Sequence, residues 1–173
     1  LGYFERLATS SPSTGRLVTF ERLVLDTSEL DLRGGWSGCR APLCRLVCDA
    51  TGSIEDPPPL DDALQLDFAN RFIGGGVLRR GCVQEEIRFL ICPELIVSCL
   101  FTEVMADHEA VLIRGFERYS SYSGYSASFA YAGHHEPLAW AGETARPPTT
   151  LLAIDAAHFR RDAHARQWEL LMI

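Results

Sequence analysis

The residues best suited to chemistry lie on either side of a short spacer. Asp67 comes first, the run Gly74-Gly75-Gly76 follows it, and Gln84-Glu85-Glu86 comes after seven further residues. A glycine loop that leads into a helix allows backbone N–H groups to approach an anionic or sugar ligand closely. Carboxyl groups at the start of that helix are side chains that a general acid or base would use. The spacing predicts a ligand cradle with acidic side chains beside it.

Each part of this pattern also has a purely structural interpretation. Three consecutive glycines are as typical of a flexible turn as of a binding loop. Glu85 and Glu86 are also what a solvated helix start carries, because carboxylates favour the positive end of the helix dipole. The residues alone therefore leave catalysis and a structural loop both open.

Strands that alternate with helices must position these residues. Segments rich in β-branched and apolar side chains between turn signals predict strands. They lie at residues 17–20, 45–48, 64–68, 110–116 and 151–155. Helices are predicted from Gln84 to Pro93, where the proline kinks the helix or opens a short second one, and from 158 to 173. The tyrosine-rich stretch 119–131 suggests a hairpin or an exposed aromatic loop. This order indicates an α/β layered sheet.

Composition excludes several classes of function. The 173 residues are 47% hydrophobic, which is enough for one core. The net charge is −7, so we expect no direct DNA binding, although an anionic polymer can still bind locally. All sixteen basic residues are arginines, which removes lysine Schiff-base chemistry. No apolar stretch approaches the roughly 20 residues that cross a bilayer, so no membrane contact is expected.

Cysteine and histidine spacing gives little support for a metal site. The six cysteines are expected to be reduced, because no secretory signal precedes them. Cys39, Cys44 and Cys48 lack the second pair or nearby histidine that a zinc site needs. His134-His135-Glu136 also lacks a third ligand at a readable spacing and is interpreted as a polar turn. We therefore expect no metal.

The glycine run, the spacer and Gln84-Glu85-Glu86 resemble the signature of the poly(ADP-ribose) glycohydrolases. Further matches follow in the family's order, at residues 67–70, 87–90, 93–95, 119–125, 153–156 and 158–161. The resemblance implies a macrodomain-like three-layer α/β/α fold with a mixed sheet, and no cofactor. It fades after Arg161, where the family continues into a second glycine-rich loop that wraps the diphosphate. We therefore expect one partial catalytic domain over residues 1–173, with 1–45 as its N-terminal accessory edge.

The resemblance implies hydrolysis of the ribose–ribose O-glycosidic bonds of poly(ADP-ribose), with release of ADP-ribose. By position in the motif, Glu86 looks like the general acid and base, and Glu85 like its partner in holding the ribose hydroxyls. Asp67 completes the expected catalytic set. Glycoside cleavage passes through an oxocarbenium-like transition state, so a carboxyl must protonate the departing oxygen and then activate water. No metal is needed for that chemistry.

Substrate contacts are also implied by the resemblance. The expected residues are Ile54, Glu55, Asn70, Gly74, Gly75, Gly76, Gln84 and Tyr125. Among them, Ile54 and Glu55 match the place that recognises the adenine, and Tyr125 matches an aromatic residue that closes over the ligand. The family further implies a monomer that acts on poly(ADP-ribose), ADP-ribose and ADP-ribosylated proteins in the nucleus or cytoplasm, in the response to DNA damage.

Two other functions compete with this interpretation. The first is a non-catalytic remnant of the family that binds ADP-ribose or has no function. The second is an unrelated carbohydrate hydrolase that uses Glu85 and Glu86. That hydrolase would need the two carboxyl groups to converge, whereas adjacent helix positions diverge by about 100°. We rank it last.

The spacer itself carries two chemically notable features. Arg79 and Arg80 place two cations beside the predicted site, where they either attract a pyrophosphate or are simply solvated. Cys82 lies two residues before Gln84, but without a histidine partner it is a poor candidate for a nucleophile.

Overall fold

A computed structural model of the protein describes residues 2–9, 17–26, 38–55, 63–135 and 149–156. Three helical segments of one or more full turns are present in these residues: α1 (Gly2–Thr9), α2 (Gln84–Ile91) and a 3₁₀ helix (Pro93–Leu100). The strands are β1 (Thr19–Val24), β2 (Leu64–Ala69), β3 (Glu109–Phe116), β4 (Ser120–Ser123), β5 (Ala130–His134) and β6 (Thr149–Asp155). A short 3₁₀ turn, Ser126–Ser128, separates β4 from β5.

Four of the strands form one mixed sheet in the order β1-β3-β6-β2. β3 pairs antiparallel with both β1 and β6, whereas β6 and β2 run parallel. The remaining two strands, β4 and β5, form a separate antiparallel hairpin. The predicted α/β fold with a mixed sheet is therefore confirmed, as is a hairpin within the tyrosine-rich stretch.

One face of the sheet carries the core. Along β2 the side chains alternate, so that Asp67 and Ala69 are buried while Leu64 and Phe68 are exposed. Side chains from β3 and β6 continue the buried face and pack against α2 and the 3₁₀ helix. This core includes Ala69, Phe89, Ile91, Leu95, Val111, Ile113, Leu151 and Ala153. The candidate catalytic residue Asp67 therefore lies on the buried face of β2, between Gln65 and Ala69.

Helix α2 is short because Pro93 cannot continue it. Proline lacks the N–H that the helix ladder needs, but it suits the first turn of the 3₁₀ helix that follows. Nearly every side chain of α2 is buried, including those of Glu85, Glu86 and Arg88. Three charged residues in the interior of such a small domain need specific partners.

Some predictions differ from the structure. The strand predicted at residues 45–48 is wrong: the segment has no regular structure, and Leu46 is 85% exposed. No described strand pairs with it, so its apolar pattern has no partner to stabilise it. The helix α1 was not predicted. The helix predicted at 158–173 lies outside the described residues, which therefore do not test the predicted three-layer arrangement. None of the described helices has the length and apolar character needed to cross a membrane.

Candidate active site

Backbone N–H groups of the loop after β2 hold the carboxyl group of Glu85. One oxygen accepts a hydrogen bond from the N–H of Gly74 at 2.6 Å, and the other accepts one from the N–H of Asn70 at 3.0 Å. The side chain is only 3% exposed. Glu85 therefore links the start of α2 to Asn70, which follows β2, and to Gly74, the first glycine of the run.

Glu86 makes the corresponding contacts one step further along the loop. Its carboxyl group accepts hydrogen bonds from the N–H of Gly76 at 2.8 Å and from the N–H of Val83 at 2.9 Å. The second bond satisfies a backbone donor at the start of α2, where the helix ladder offers no acceptor. Glu86 is 6% exposed and packs against the backbone of Gly81. Glu86 thus holds together Gly76 and Val83, which lie at the two ends of the spacer.

The two carboxyl groups meet at Gly75. This glycine has φ +51°, and a Cβ built on it would lie 2.5 Å from an oxygen of each glutamate. The expectation that Glu85 and Glu86 diverge is therefore wrong for their carboxyl groups, although their Cα positions do differ in direction. Convergence arises because the same loop donates N–H groups to both side chains. The site requires glycine at position 75 for conformation and for space.

Asp67 lies beside this pair with no exposed surface. Neither of its carboxyl oxygens has a hydrogen-bond partner among the described residues. Burial raises the pKa of Asp67 to about 7; the positive charge of Arg88 opposes the rise and the charge of Glu86 adds to it. Burial likewise raises the pKa of Glu85 to about 8, with a further contribution from the charge of Asp67. Asp67 and Glu85 therefore take up protons near neutral pH.

Gln84 positions the start of α2 against β2. Its side-chain amide accepts a hydrogen bond from the N–H of Phe68 at 2.9 Å and donates one to the carbonyl of Leu66 at 3.0 Å. The backbone N–H of Gln84 donates to the hydroxyl of Tyr125 at 3.1 Å. Both polar groups of the Gln84 amide are thus bound to the backbone of β2. Tyr125 is 53% exposed beside them.

Asn70 shapes the loop at its first turn. Its side-chain oxygen accepts a hydrogen bond from the N–H of Phe72 at 3.0 Å, which is an Asx turn. Its own N–H is the one that Glu85 binds. Asn70 is exposed on the loop that the carboxyl groups organise.

The residues expected at the adenine lie at the end of an otherwise exposed segment. Ile54 is 37% exposed, and Glu55 is half-buried. The Tyr122 hydroxyl of β4 donates to the Glu55 carboxyl at 3.4 Å. This contact links Glu55 to the hairpin whose connecting loop carries Tyr125.

Sequence reasoning missed Arg88 and Tyr122. Arg88 is 2% exposed, and its guanidinium lies 5.2 Å from the centre of the Phe116 ring. Its charge acts on Asp67, as described above. The available signal was a cation within the apolar stretch Ile87–Ile91, directly after two acidic residues. Among the described residues, no three His, Cys, Asp or Glu side chains are grouped so that they would hold a metal ion.

The arrangement is suited to acid–base chemistry on a sugar. Three carboxyl groups are gathered beside a glycine loop, and burial raises the pKa of two of them, Asp67 and Glu85, as is typical of functional sites. The loop backbone can approach a ligand because it carries no side chains at Gly74, Gly75 and Gly76.

Comparison with known proteins gives a match that includes the candidate site. Residues 34–173 match the profile of the family described as poly(ADP-ribose) glycohydrolase, macro domain fold. This match runs to residue 173, so the expectation that the likeness fades after Arg161 is wrong. The chain is 45% identical over 154 residues to poly(ADP-ribose) glycohydrolase 1 of Arabidopsis thaliana, covering 89% of this chain and 27% of that protein.

Two further relatives show the same pattern. Probable poly(ADP-ribose) glycohydrolase 2 of Arabidopsis thaliana is 39% identical over 160 residues, which cover 89% of this chain and 30% of that protein. Poly(ADP-ribose) glycohydrolase 2 of Caenorhabditis elegans is 53% identical over 68 residues, covering 39% of this chain and 14% of that protein. The chain thus spans less than a third of the length of each of these relatives.

Proposed function

Because this chain belongs to the poly(ADP-ribose) glycohydrolase family, we propose that it hydrolyses the ribose–ribose O-glycosidic bonds of poly(ADP-ribose) and releases ADP-ribose. The observation that carries the proposal is the meeting of two buried carboxyl groups at Gly75. A structural helix start would leave its glutamates in water, where the dipole stabilises them. Here both are buried, and both accept hydrogen bonds from the loop that a sugar would approach.

In the proposed reaction Glu86 is the general acid and then the general base. Its carboxyl proton passes to the departing ribosyl oxygen as the C–O bond breaks, leaving an oxocarbenium-like sugar. Water then bonds to that carbon and gives its proton to the Glu86 carboxylate. Glu86 is favoured over Glu85 because it is the more exposed of the two and adjoins the spacer, whereas Glu85 lies deeper, beside Asp67.

The other two carboxyl groups limit the negative charge of the site. With pKa values raised to about 7 and about 8, Asp67 and Glu85 hold protons over much of the neutral range. A polymer that carries two negative phosphates in each unit would otherwise meet three carboxylates. We propose that protonated Glu85 binds the ribose hydroxyls and that Asp67 supports it.

The remaining assignments are proposals of the same kind. Gln84 acts by holding α2 on β2, Asn70 by shaping the loop and offering its amide, and Tyr125 by covering the ligand. Ile54 and Glu55 are proposed to contact the adenine. Action on ADP-ribosylated proteins, in the nucleus or cytoplasm, is proposed from the family resemblance alone.

The test is release of ADP-ribose from poly(ADP-ribose) by the wild-type chain and by Glu86→Gln. A positioned general acid or base contributes about 10²–10⁴-fold, so we expect a loss of that size. The amide keeps the shape of the side chain but only one of the two oxygens that accept from Gly76 and Val83, so binding of free ADP-ribose is measured as well, to show that the loop is retained. Glu103→Gln is the matched control, because Glu103 is an exposed residue outside the site.

The outcomes separate the competing functions. Equal turnover by wild type and Glu86→Gln would show that another group is the acid. If neither releases ADP-ribose but both bind it, the chain is a non-catalytic ADP-ribose-binding member of the family. Release that is lost only in Glu86→Gln would support the proposed mechanism.

A further inference from the structure

The spacer between the glycine run and α2 is a closed turn. The carbonyl of Gly76 accepts hydrogen bonds from the N–H of Arg79 at 2.8 Å and from the N–H of Gly81 at 3.1 Å. A Cβ built on Gly76 would lie 2.9 Å from backbone atoms of Gly81, so the two ends of the turn are in contact. Glu86 binds the N–H of Gly76 and packs against Gly81. The base of the turn is therefore fixed to the proposed catalytic carboxyl.

The tip of this turn is exposed and positively charged. Val77 packs against the core, whereas Leu78 is 70% exposed and both Arg79 and Arg80 are exposed. An arginine pair on a turn this tightly closed can move its side chains but not its backbone. Arg79 and Arg80 thus directly precede Gly81, whose backbone contacts Glu86.

Other arginines in the described range 63–135 are already engaged. Arg71 lies 3.6–3.7 Å from the carboxyl groups of Asp107 and Asp155, and Arg114 binds Glu21 at 2.8 Å. Arg118 donates to the carbonyl of Ser120, and Arg88 is buried against Phe116. Within this range Arg79 and Arg80 have no side-chain hydrogen bond or ion pair to any described residue. Among the described arginines of this range, they are the two whose guanidinium groups are not engaged.

We propose that the Arg79–Arg80 turn binds a diphosphate group of poly(ADP-ribose) next to the bond that Glu86 cleaves. This inference rests on the proposed function and extends it to residues that position the polymer. Guanidinium groups bind phosphate oxygens through paired N–H donors, and neither arginine uses its side-chain donors on another described residue. The chain carries a net charge of −7, so a local cationic turn would be needed to hold a polyanion against the acidic site.

The contact acts on binding rather than on the chemical step. Neither arginine reaches the carboxyl groups through a contact of its own, and the turn is fixed at its base with or without the two side chains. Replacing them should raise KM for the polymer and leave kcat unchanged. A local cationic field changes association with a charged ligand by about tenfold or more, and salt screens it.

The experiment compares wild type with Arg79→Ser/Arg80→Ser, Arg79→Lys/Arg80→Lys and the control Arg114→Ser. Arg114 lies in β3 and is paired with Glu21 of β1, away from the spacer. KM and kcat are measured for poly(ADP-ribose) at several NaCl concentrations. The double serine variant should raise KM about tenfold at low salt and flatten its dependence on NaCl. The lysine variant should retain most of the salt dependence, and Arg114→Ser should behave as wild type.

Binding measurements identify which diphosphate is held. Affinities for free ADP-ribose and for poly(ADP-ribose) are measured in the Glu86→Gln background. Weaker binding of the polymer alone would place the contact on the neighbouring unit, across the cleaved bond. Weaker binding of both ligands would place it on the diphosphate of the bound unit. Equal binding of both ligands by the serine variant and its parent would overturn the inference.

The same measurements separate this inference from the proposed function. If the wild-type chain binds poly(ADP-ribose) without cleaving it, the proposed hydrolysis fails while the arginine turn is still tested by affinity. If the chain cleaves the polymer and the serine variant keeps the wild-type KM and salt dependence, the turn has no role and hydrolysis stands. A chain that binds neither ligand overturns both.

Discussion

The loop around the carboxyl groups and the hairpin β4–β5 approach the site in different ways. Glu85 and Glu86 are buried, and their carboxyl groups accept four hydrogen bonds from the backbone N–H groups of Asn70, Gly74, Gly76 and Val83. The hairpin reaches the same helix start through one half-exposed side chain, Tyr125, whose hydroxyl meets the N–H of Gln84.

This difference indicates that the loop and the hairpin contribute differently to the site. The loop cannot move without breaking several bonds that no water can replace, because its acceptors are buried. The hairpin contact is exposed, so water can take its place at small cost. We therefore expect the loop to set the chemistry and stability of the site, and the hairpin to adjust ligand binding.

The largest effect is expected for Gly75→Ala. An alanine there has an unfavourable positive φ, and its Cβ would overlap an oxygen of both Glu85 and Glu86. Left-handed backbone costs about 1–2 kcal/mol and overpacking about 1–3 kcal/mol. We expect the free energy of unfolding to fall by about 2–4 kcal/mol, and ADP-ribose release to fall by about 100-fold because the acid is displaced.

Gly133→Ala is the control for that substitution. Gly133 also has positive φ, at +111°, but a Cβ built on it meets nothing within 4 Å. It places alanine at a positive φ, further from the left-handed region than at Gly75, without the overlap, and it lies on the hairpin. Urea unfolding and a release assay compare the two variants. Wild-type turnover by Gly75→Ala would mean that the two carboxyl groups do not need their observed positions.

A second prediction concerns the pH dependence of stability. Because the folded-state pKa values of Asp67 and Glu85 are raised to about 7 and about 8, the folded protein binds more protons than the unfolded chain between about pH 4 and pH 8. The free energy of unfolding should therefore fall as pH rises through this range. The slope approaches about 1.4 kcal/mol per pH unit for each carboxyl that titrates.

Asp67→Asn should flatten this dependence. The amide cannot ionise, and its neutral charge also removes one cause of the raised pKa of Glu85. Urea unfolding at intervals from pH 5 to pH 8 measures the slope, with Asp107→Asn as a control because that side chain is 94% exposed. A slope in Asp67→Asn as steep as in wild type would show that Asp67 is ionised throughout.

Features that depend on local sequence pattern could be predicted from the sequence, whereas those that depend on tertiary contacts could not. Strands β2, β3 and β6 and helix α2 follow from local patterns, because their residues alternate or end at a proline in the way that their elements require. The segment at 45–48 has a similar apolar pattern but no partner strand among the described residues. Its exposure shows that pattern alone does not form a strand.

The residues of the candidate site could be predicted from the sequence, but the hydrogen bonds and contacts between them could not. Residue order indicated Glu85 and Glu86 beside the glycine run. The convergence of their carboxyl groups depends on side-chain torsions and on φ of Gly75, which spacing does not determine. Arg88 was missed for a related reason: a charged residue on a short helix is expected to face water, and its burial follows only from the packing of α2 on the sheet.

The smallest effect is expected for Tyr125→Phe. Removing the hydroxyl leaves the N–H of Gln84 without its acceptor, but Tyr125 is 53% exposed and water can bind that N–H instead. The free energy of unfolding should therefore change by less than about 1 kcal/mol. The ring is retained, so release of ADP-ribose should fall only a few-fold, through KM. Tyr131→Phe, at another exposed tyrosine of the hairpin, is the control.

A fall in kcat as large as that of Glu86→Gln would instead mean that the Tyr125 hydroxyl fixes the start of α2 in the geometry needed for catalysis. The hairpin would then belong to the catalytic loop, and the distinction between the two regions would be lost.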